Sequence, residues 1–100
     1  MVHSVSNLQE FLDVLGDNDD VIVDFWASFC GPCKLIAPYF TDLSKKYTNV
    51  VFIKVDIEVA DDIARHAGVV SLPTFIKYRR GAKVAQVVGA DKKKLLQLFL

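Results

Sequence analysis

Val23-Asp-Phe-Trp-Ala-Ser-Phe-Cys-Gly-Pro-Cys-Lys-Leu-Ile-Ala-Pro38 passes from an apolar, β-prone segment into one of helical periodicity, with two cysteines at the junction. Val21 to Trp26 reads as a strand. Beyond the junction Leu35, Ile36, Tyr39, Phe40, Leu43 and Tyr47 recur at helical spacing. Pro38 lies inside that run, where its missing N–H is expected to kink the helix. A strand that turns into a helix at a Cys-x-x-Cys is the pattern from which the rest of the chain is read.

On the N-terminal side, Val2 to Val5 is a short strand, and Ser6 with Gln9 forms a capping box for a helix whose stripe is Leu8, Phe11, Leu12 and Leu15. Gly16 is expected to close that helix in a left-handed conformation, and Asp17-Asn-Asp-Asp20 to form a solvated turn. On the C-terminal side, Val50 to Asp56 is rich in β-branched residues and suits a central strand covered on both faces. Ala60 to Ala67 forms a short helix stopped by Gly68. Thr74 to Arg80 and Lys83 to Val88 flank an Arg80-Gly81-Ala82 turn as a hairpin would, and Asp91 caps a last helix through Leu95, Leu96 and Phe99. Alternating strands and helices that close in a hairpin plus helix imply an α/β fold, a mixed sheet with helices on both faces.

At 100 residues the chain can bury one modest core, so a single domain over residues 1–100 is expected. Twelve basic side chains balance 12 acidic ones, leaving no net field to draw nucleic acid or an anionic membrane. Charges interrupt every apolar run before it reaches the roughly 18 residues of a spanning helix. The start, Met1-Val-His-Ser-Val-Ser6, lacks the basic and apolar regions of a secretory signal. Two cysteines three apart are too few for a secreted disulfide scaffold, and in an intracellular protein they point to redox chemistry or metal.

Cysteines at i and i+3 on a first helical turn can bring their Cα atoms within the roughly 4.4 to 6.8 Å that a disulfide needs. As a staple the bond is poor, since closing four residues is worth about 1.9 kcal/mol against about 4.7 for a hundred-residue loop. A reversible role fits better. Cys30 would lie where unpaired amides and the positive end of a helix dipole favour a thiolate, which makes it the nucleophile. Pro32 suits a first helical turn and stiffens the link between the sulfurs, while Gly31 leaves room for a partner's backbone. A zinc site would need more ligands than His3 and His66 add, so no metal is expected. A purely structural disulfide or a pair of inert buried thiols would leave the strand, cysteine pair and helix arrangement without a purpose.

Val23 to Pro38 resembles the active-site segment of the thioredoxin family almost position for position; Val69-Val-Ser-Leu-Pro-Thr-Phe75, the Arg80-Gly81 hairpin and Gly89 extend the resemblance over essentially the whole chain. The resemblance implies the thioredoxin fold, a five-stranded mixed sheet flanked by four helices, with Pro73 in a cis peptide facing the cysteines. It implies a thiol–disulfide oxidoreductase that reduces protein disulfides and carries electrons for other enzymes. Its only prosthetic device would be the reversible Cys30–Cys33 disulfide. Cys33 would resolve the mixed disulfide, Asp24 would be the buried acid that takes the Cys33 proton, and Lys54 the nearby lysine. Trp26, Phe29, Gly31, Leu72, Pro73, Gly89 and Ala90 would grip an extended partner segment. Implied partners are thioredoxin reductase, which draws on NADPH, and targets such as peroxiredoxins, methionine sulfoxide reductase and ribonucleotide reductase. A cytoplasmic monomer would fit this family. Phe29 departs from the family, which usually carries Trp before the first cysteine: a flat apolar wall survives, without an indole N–H. Independently of any resemblance, Asp24 inside Val23-Asp24-Phe25 costs stability unless it is used or paired.

Overall fold

The computed structural model describes residues 1–100. The elements run β1 (Val2–Ser4), α1 (Leu8–Asp17), β2 (Asp20–Trp26), α2 (Gly31–Lys46), β3 (Val51–Asp56), α3 (Asp61–Ala67), β4 (Thr74–Arg79), β5 (Ala82–Val88) and α4 (Lys92–Gln97). The five strands form one sheet in the order β1-β3-β2-β4-β5. β1, β3 and β2 are parallel, whereas β4 and β5 run antiparallel to their neighbours. β3 is an interior strand between β1 and β2, as its β-branched run implies, and the middle of the sheet is β2, whose Val21 to Phe25 are all buried.

The period-2 geometry of β2 sends alternate side chains to opposite faces. Val21, Val23 and Phe25 join Phe11, Leu15, Ile53, Val55, Ile63 and Ile76 in a core under α1 and α3. Ile22 joins Ile36, Phe40, Leu43, Phe52, Phe75, Leu95 and Leu98 under α2 and α4. Asp24 follows Ile22 on this second face. Phe40 anchors it, with ring centroids 5.1 Å from Phe52 and 5.6 Å from Phe75.

Several local expectations shift. The first helix is capped by Asn7, whose Oδ1 accepts from the Glu10 amide at 2.9 Å, while Glu10 Oε1 accepts from the Ser6 amide. The box expected at Ser6 and Gln9 thus sits one residue later, because only Asn7 presents its side-chain oxygen to the third helical amide. Gly16 stays inside α1; the helix ends at Asn18, whose side-chain amide donates to the Val14 carbonyl at 2.9 Å. Leu35 and Leu12 fall on the solvent side of their helices, and Tyr47 lies just past α2 as its C-cap. α2 continues through Pro38. Gly68, with φ of 73°, does end α3 in the left-handed conformation that glycine adopts without a Cβ clash. The hairpin loop is two residues, Arg80 and Gly81, with φ of 50° and 81°, matching the positive angles of a turn that follows strand twist. Ala82 therefore opens β5. Asp91 caps α4 through the Lys94 amide at 3.0 Å.

Because Phe40 is fully buried and Leu35 is 79% exposed on the same helix, their truncations should diverge sharply. Phe40→Ala should cost about 3–5 kcal/mol of unfolding free energy and Leu35→Ala less than about 0.5, measured by urea denaturation.

Candidate active site

The parallel strands β2 and β3 end at the same edge of the sheet where antiparallel β4 begins, with Phe25 opposite Thr74. That edge collects Trp26, the loop Ala27–Phe29, the start of α2, and the segment leading into β4. A crevice outside the carboxyl ends of parallel strands is where open α/β sheets place their ligands.

Cys30 is the N-cap of α2. The Ala27 carbonyl accepts from the Cys30 amide at 3.1 Å, which turns the chain out of β2, and Cys30 takes the extended backbone conformation of a cap. Gly31 and Pro32 fill the first helical positions, where proline's missing N–H leaves nothing unpaired. Cys33 follows, and its amide donates to Cys30 Sγ at 3.2 Å. The two sulfurs are joined in a disulfide with Cα atoms 5.3 Å apart. The arrangement presents Cys30 to the unpaired amides and positive dipole end of a 16-residue helix whose first turn holds no acidic residue.

Cys30, Cys33 and Ala27 form a small buried cluster against which Trp26, Ile57 and Leu72 pack. Beside it opens a groove of about 470 Å³ lined by Phe29, Cys30, Gly31, Pro32, Ile57, Val69, Val70, Ser71 and Leu72, none of them charged. Phe29 is 71% and Val70 96% exposed, so the groove has an apolar rim facing solvent. A Cβ placed on Gly31 would meet nothing within 4 Å, so no packing inside the chain requires glycine there.

Of the residues singled out in the sequence, Phe29, Cys30, Gly31, Pro32 and Leu72 meet in this groove. Trp26 packs on the disulfide cluster without lining it. The Leu72–Pro73 peptide is cis, and the Pro73 carbonyl accepts from the Gly89 amide at 2.8 Å. Gly89 is thus held beside Pro73, and neither Gly89 nor the exposed Ala90 lines the groove. Ile57, Val69, Val70 and Ser71 were not assigned to a binding surface from the sequence. For Val70 a signal existed, since it sits two residues before Leu72 in a segment without helical or strand periodicity; Ile57 carried none, as it reads like an extension of β3.

Asp24 lies directly opposite Lys54 in the register of β2 and β3, on the face covered by α2. It is 1% exposed, and its Oδ1 has no hydrogen-bond partner. Burial raises its pKa from 3.8 to about 7, against an opposing pull from the Lys54 ammonium. The Lys54 Nζ sits 4.9 Å from the Trp26 ring centroid, a cation–π contact that draws the ammonium onto the indole face. No cluster of three His, Cys, Asp or Glu side chains is placed to hold a metal ion, and no helix is long and apolar enough to cross a membrane.

The thioredoxin family model matches residues 2–100. Human thioredoxin is 46% identical over 94 residues, covering 94% of this chain and 89% of the human protein. The solved structure of Plasmodium falciparum thioredoxin superposes with a TM-score of 0.94 at 42% identity, covering 96% of this chain and 94% of that one. A chain from a structural study of the thiol resolving mechanism in yeast mitochondrial 1-Cys peroxiredoxin via glutathione/thioredoxin systems matches with a TM-score of 0.92 at 33% identity, covering 96% and 91%. With this fold, a disulfide at a helix N-cap and matches that span nearly its full length, the chain belongs to the thioredoxin family and is a thiol–disulfide oxidoreductase working by dithiol–disulfide exchange.

Proposed function

We propose that this single-domain chain works as a reductant of protein disulfides, with Cys30 as the attacking sulfur and Cys33 as the resolving one. The observation that carries the proposal is the Cys30–Cys33 pair at the N-cap of α2, opening onto an uncharged groove. The Cys30 thiolate attacks one sulfur of a target disulfide; a mixed disulfide forms and the other target sulfur leaves as a thiolate. Cys33, deprotonated, then attacks Cys30 Sγ, which closes the Cys30–Cys33 bond and releases the second target thiol. Two electrons pass from protein to target.

Asp24 supplies the base for the second step. A carboxyl with a pKa of about 7 is half ionised near neutrality and can take the Cys33 proton, directly or through water. Lys54 limits how far that pKa climbs. Phe29, Gly31, Leu72, Ile57 and Val70 form the walls against which an extended target segment lies. Trp26, Pro73, Gly89 and Ala90 frame the edge beside them, and the open space at Gly31 admits the target's backbone. A flavin-dependent thioredoxin reductase drawing on NADPH restores the dithiol. Peroxiredoxins, methionine sulfoxide reductase and ribonucleotide reductase are the target classes, with the chain acting as a monomer in the cytoplasm. The peroxiredoxin study among the structural matches supports the first of these. Coupled turnover with insulin, NADPH and thioredoxin reductase tests the whole cycle: steady NADPH consumption is expected, and none would refute it.

The two sulfurs are separable. Cys33→Ser should accumulate mixed disulfides with targets on non-reducing gels, whereas Cys30→Ser should trap none; equal trapping would overturn the assignment of roles.

For Asp24 the sign follows from linkage. Below pH 3.8 the carboxyl is protonated folded and unfolded alike; from there to about 7 only the unfolded chain ionises freely, so stability falls by up to about 1.4 kcal/mol per pH unit and levels off above. Asp24→Asn removes the ionisation, so in oxidised protein its stability relative to wild type should be greater at pH 8 than at pH 4, by up to about 4 kcal/mol in denaturant unfolding. In stopped-flow reduction of a disulfide substrate, the same variant should be slowed at release of the mixed disulfide.

A further inference from the structure

One side-chain hydrogen bond joins the two loops that leave the carboxyl ends of β2 and β3: at the exposed rim, Ser28 Oγ donates to Glu58 Oε1 at 2.8 Å, between residues 30 apart in sequence. The other side-chain hydrogen bonds of comparable sequence separation, from the Leu8 amide to Asp62 and from Lys77 to the Leu98 carbonyl, tie helices into the fold instead. Glu58 stands on a fixed base. Its amide donates to Asp56 Oδ1 at 2.9 Å, the Val59 and Ala60 amides donate to the Asp56 carbonyl, and the Ile57 amide donates to the Trp26 carbonyl at 3.0 Å. The Ser28 side has less support. Phe29 is 71% exposed, so packing does not hold it, and within its loop the backbone is closed only by the Cys30 to Ala27 bond.

Phe29 stands next to Ser28 and Ile57 next to Glu58, and both line the groove. The Ser28–Glu58 bond thus links the loop that carries the Phe29 wall to the loop that carries the Ile57 wall. We propose that the Ser28–Glu58 hydrogen bond is a clasp that fixes the width of the groove for a protein substrate, which makes both residues positioning residues of the exchange reaction. The inference rests on the reading of this groove as the seat of an extended target segment. A small disulfide that touches only the sulfurs needs no such wall, whereas a polypeptide segment must order a loose wall as it binds.

The test uses reduced protein in single-turnover mixing with insulin and, separately, with 2-hydroxyethyl disulfide. Ser28→Ala and Glu58→Ala should each raise the half-saturating insulin concentration about two- to tenfold, the range expected for loss of one hydrogen bond. Their limiting rate with insulin and their rate with the small disulfide should stay within about twofold of wild type. The double variant should bind insulin no worse than either single one, within about twofold, because both remove the same contact. Ser28→Thr, which keeps the hydroxyl, should restore the wild-type value. Unchanged insulin saturation, losses that multiply in the double variant, or an equal loss on both substrates would overturn the clasp. Wild-type protein that reduces neither substrate would instead overturn the reading of the groove and the clasp with it, whereas wild-type activity without the insulin effect would refute the clasp alone.

Discussion

The amides at the start of α2 have no helical carbonyl to bind, and Cys30 is placed to answer one of them: its Sγ accepts from the Cys33 amide at 3.2 Å. This contact sets the rest of the chemistry. It is the ground for proposing Cys30 as the attacking sulfur, because an anionic acceptor would strengthen the hydrogen bond and meet the positive end of the helix dipole. It also brings Cys33 to the third helical position; both cysteines are largely buried, at 8% and 3% exposed, but Cys30 lines the groove and Cys33 does not. In the proposed exchange Cys30 meets the target at the groove while Cys33 waits beneath it. The asymmetry needed for a two-step exchange is thus a property of a helix beginning at this point on the sheet.

That beginning is held from two sides. β2 is the middle strand, paired to β3 and β4 and buried on both faces, so its end at Trp26 is fixed relative to the sheet. α2 is fixed by Ile36, Phe40 and Leu43 against Ile22, Phe52 and Phe75. Only residues 27–30 lie between two well-packed elements, which leaves the Cys30 sulfur little freedom to drift. Against this rigid frame stands one destabilising feature. Asp24 is buried with an oxygen unpaired, and its pKa is pushed to about 7. A leucine at that position on the apolar face would pack without such a penalty. The penalty is explained if the carboxylate acts on Cys33, a proton acceptor tuned to neutral pH in a region that excludes bulk water.

The frame was largely legible in the sequence because its signals are local. The β-prone apolar run Val21 to Trp26, the helical spacing of Ile36, Phe40 and Leu43, the glycine after Ala67 and the Asp91 cap each specify their element without reference to the rest of the chain. Helix ends were less legible where two adjacent residues compete for one amide. Ser6 and Asn7 both suit an N-cap, and which one reaches Glu10 depends on how β1 delivers the chain. Leu35 fits the helical period yet faces solvent, since α2 begins at Gly31 and its buried stripe is set by contact with Phe52 and Phe75, whereas Tyr47 packs on that core from just past the helix end. Strand order was beyond local reading: β3 is as apolar as β2, and only the antiparallel hairpin on the far side of β2 moves the centre there. At the site, Cys30, Cys33 and Asp24 were visible as chemistry out of place in an apolar context. Ile57 and Val69 were not, because apolar residues that line a groove look like apolar residues that fill a core until the topology brings their loops together.

If the start of α2 makes Cys30 the reactive sulfur, the two thiols of the reduced protein must differ in their reaction with an alkylating agent. Alkylation of the fully reduced protein by iodoacetamide, quantified separately at Cys30 and Cys33 by peptide mass spectrometry across pH 4 to 10, tests it directly. The Cys30 rate should rise with a midpoint at least about one pH unit below the ~8.5 of a free thiol, with Cys33 modified far more slowly throughout. A Cys30 midpoint at or above that of a free thiol, or Cys33 reacting as fast as Cys30, would contradict the account.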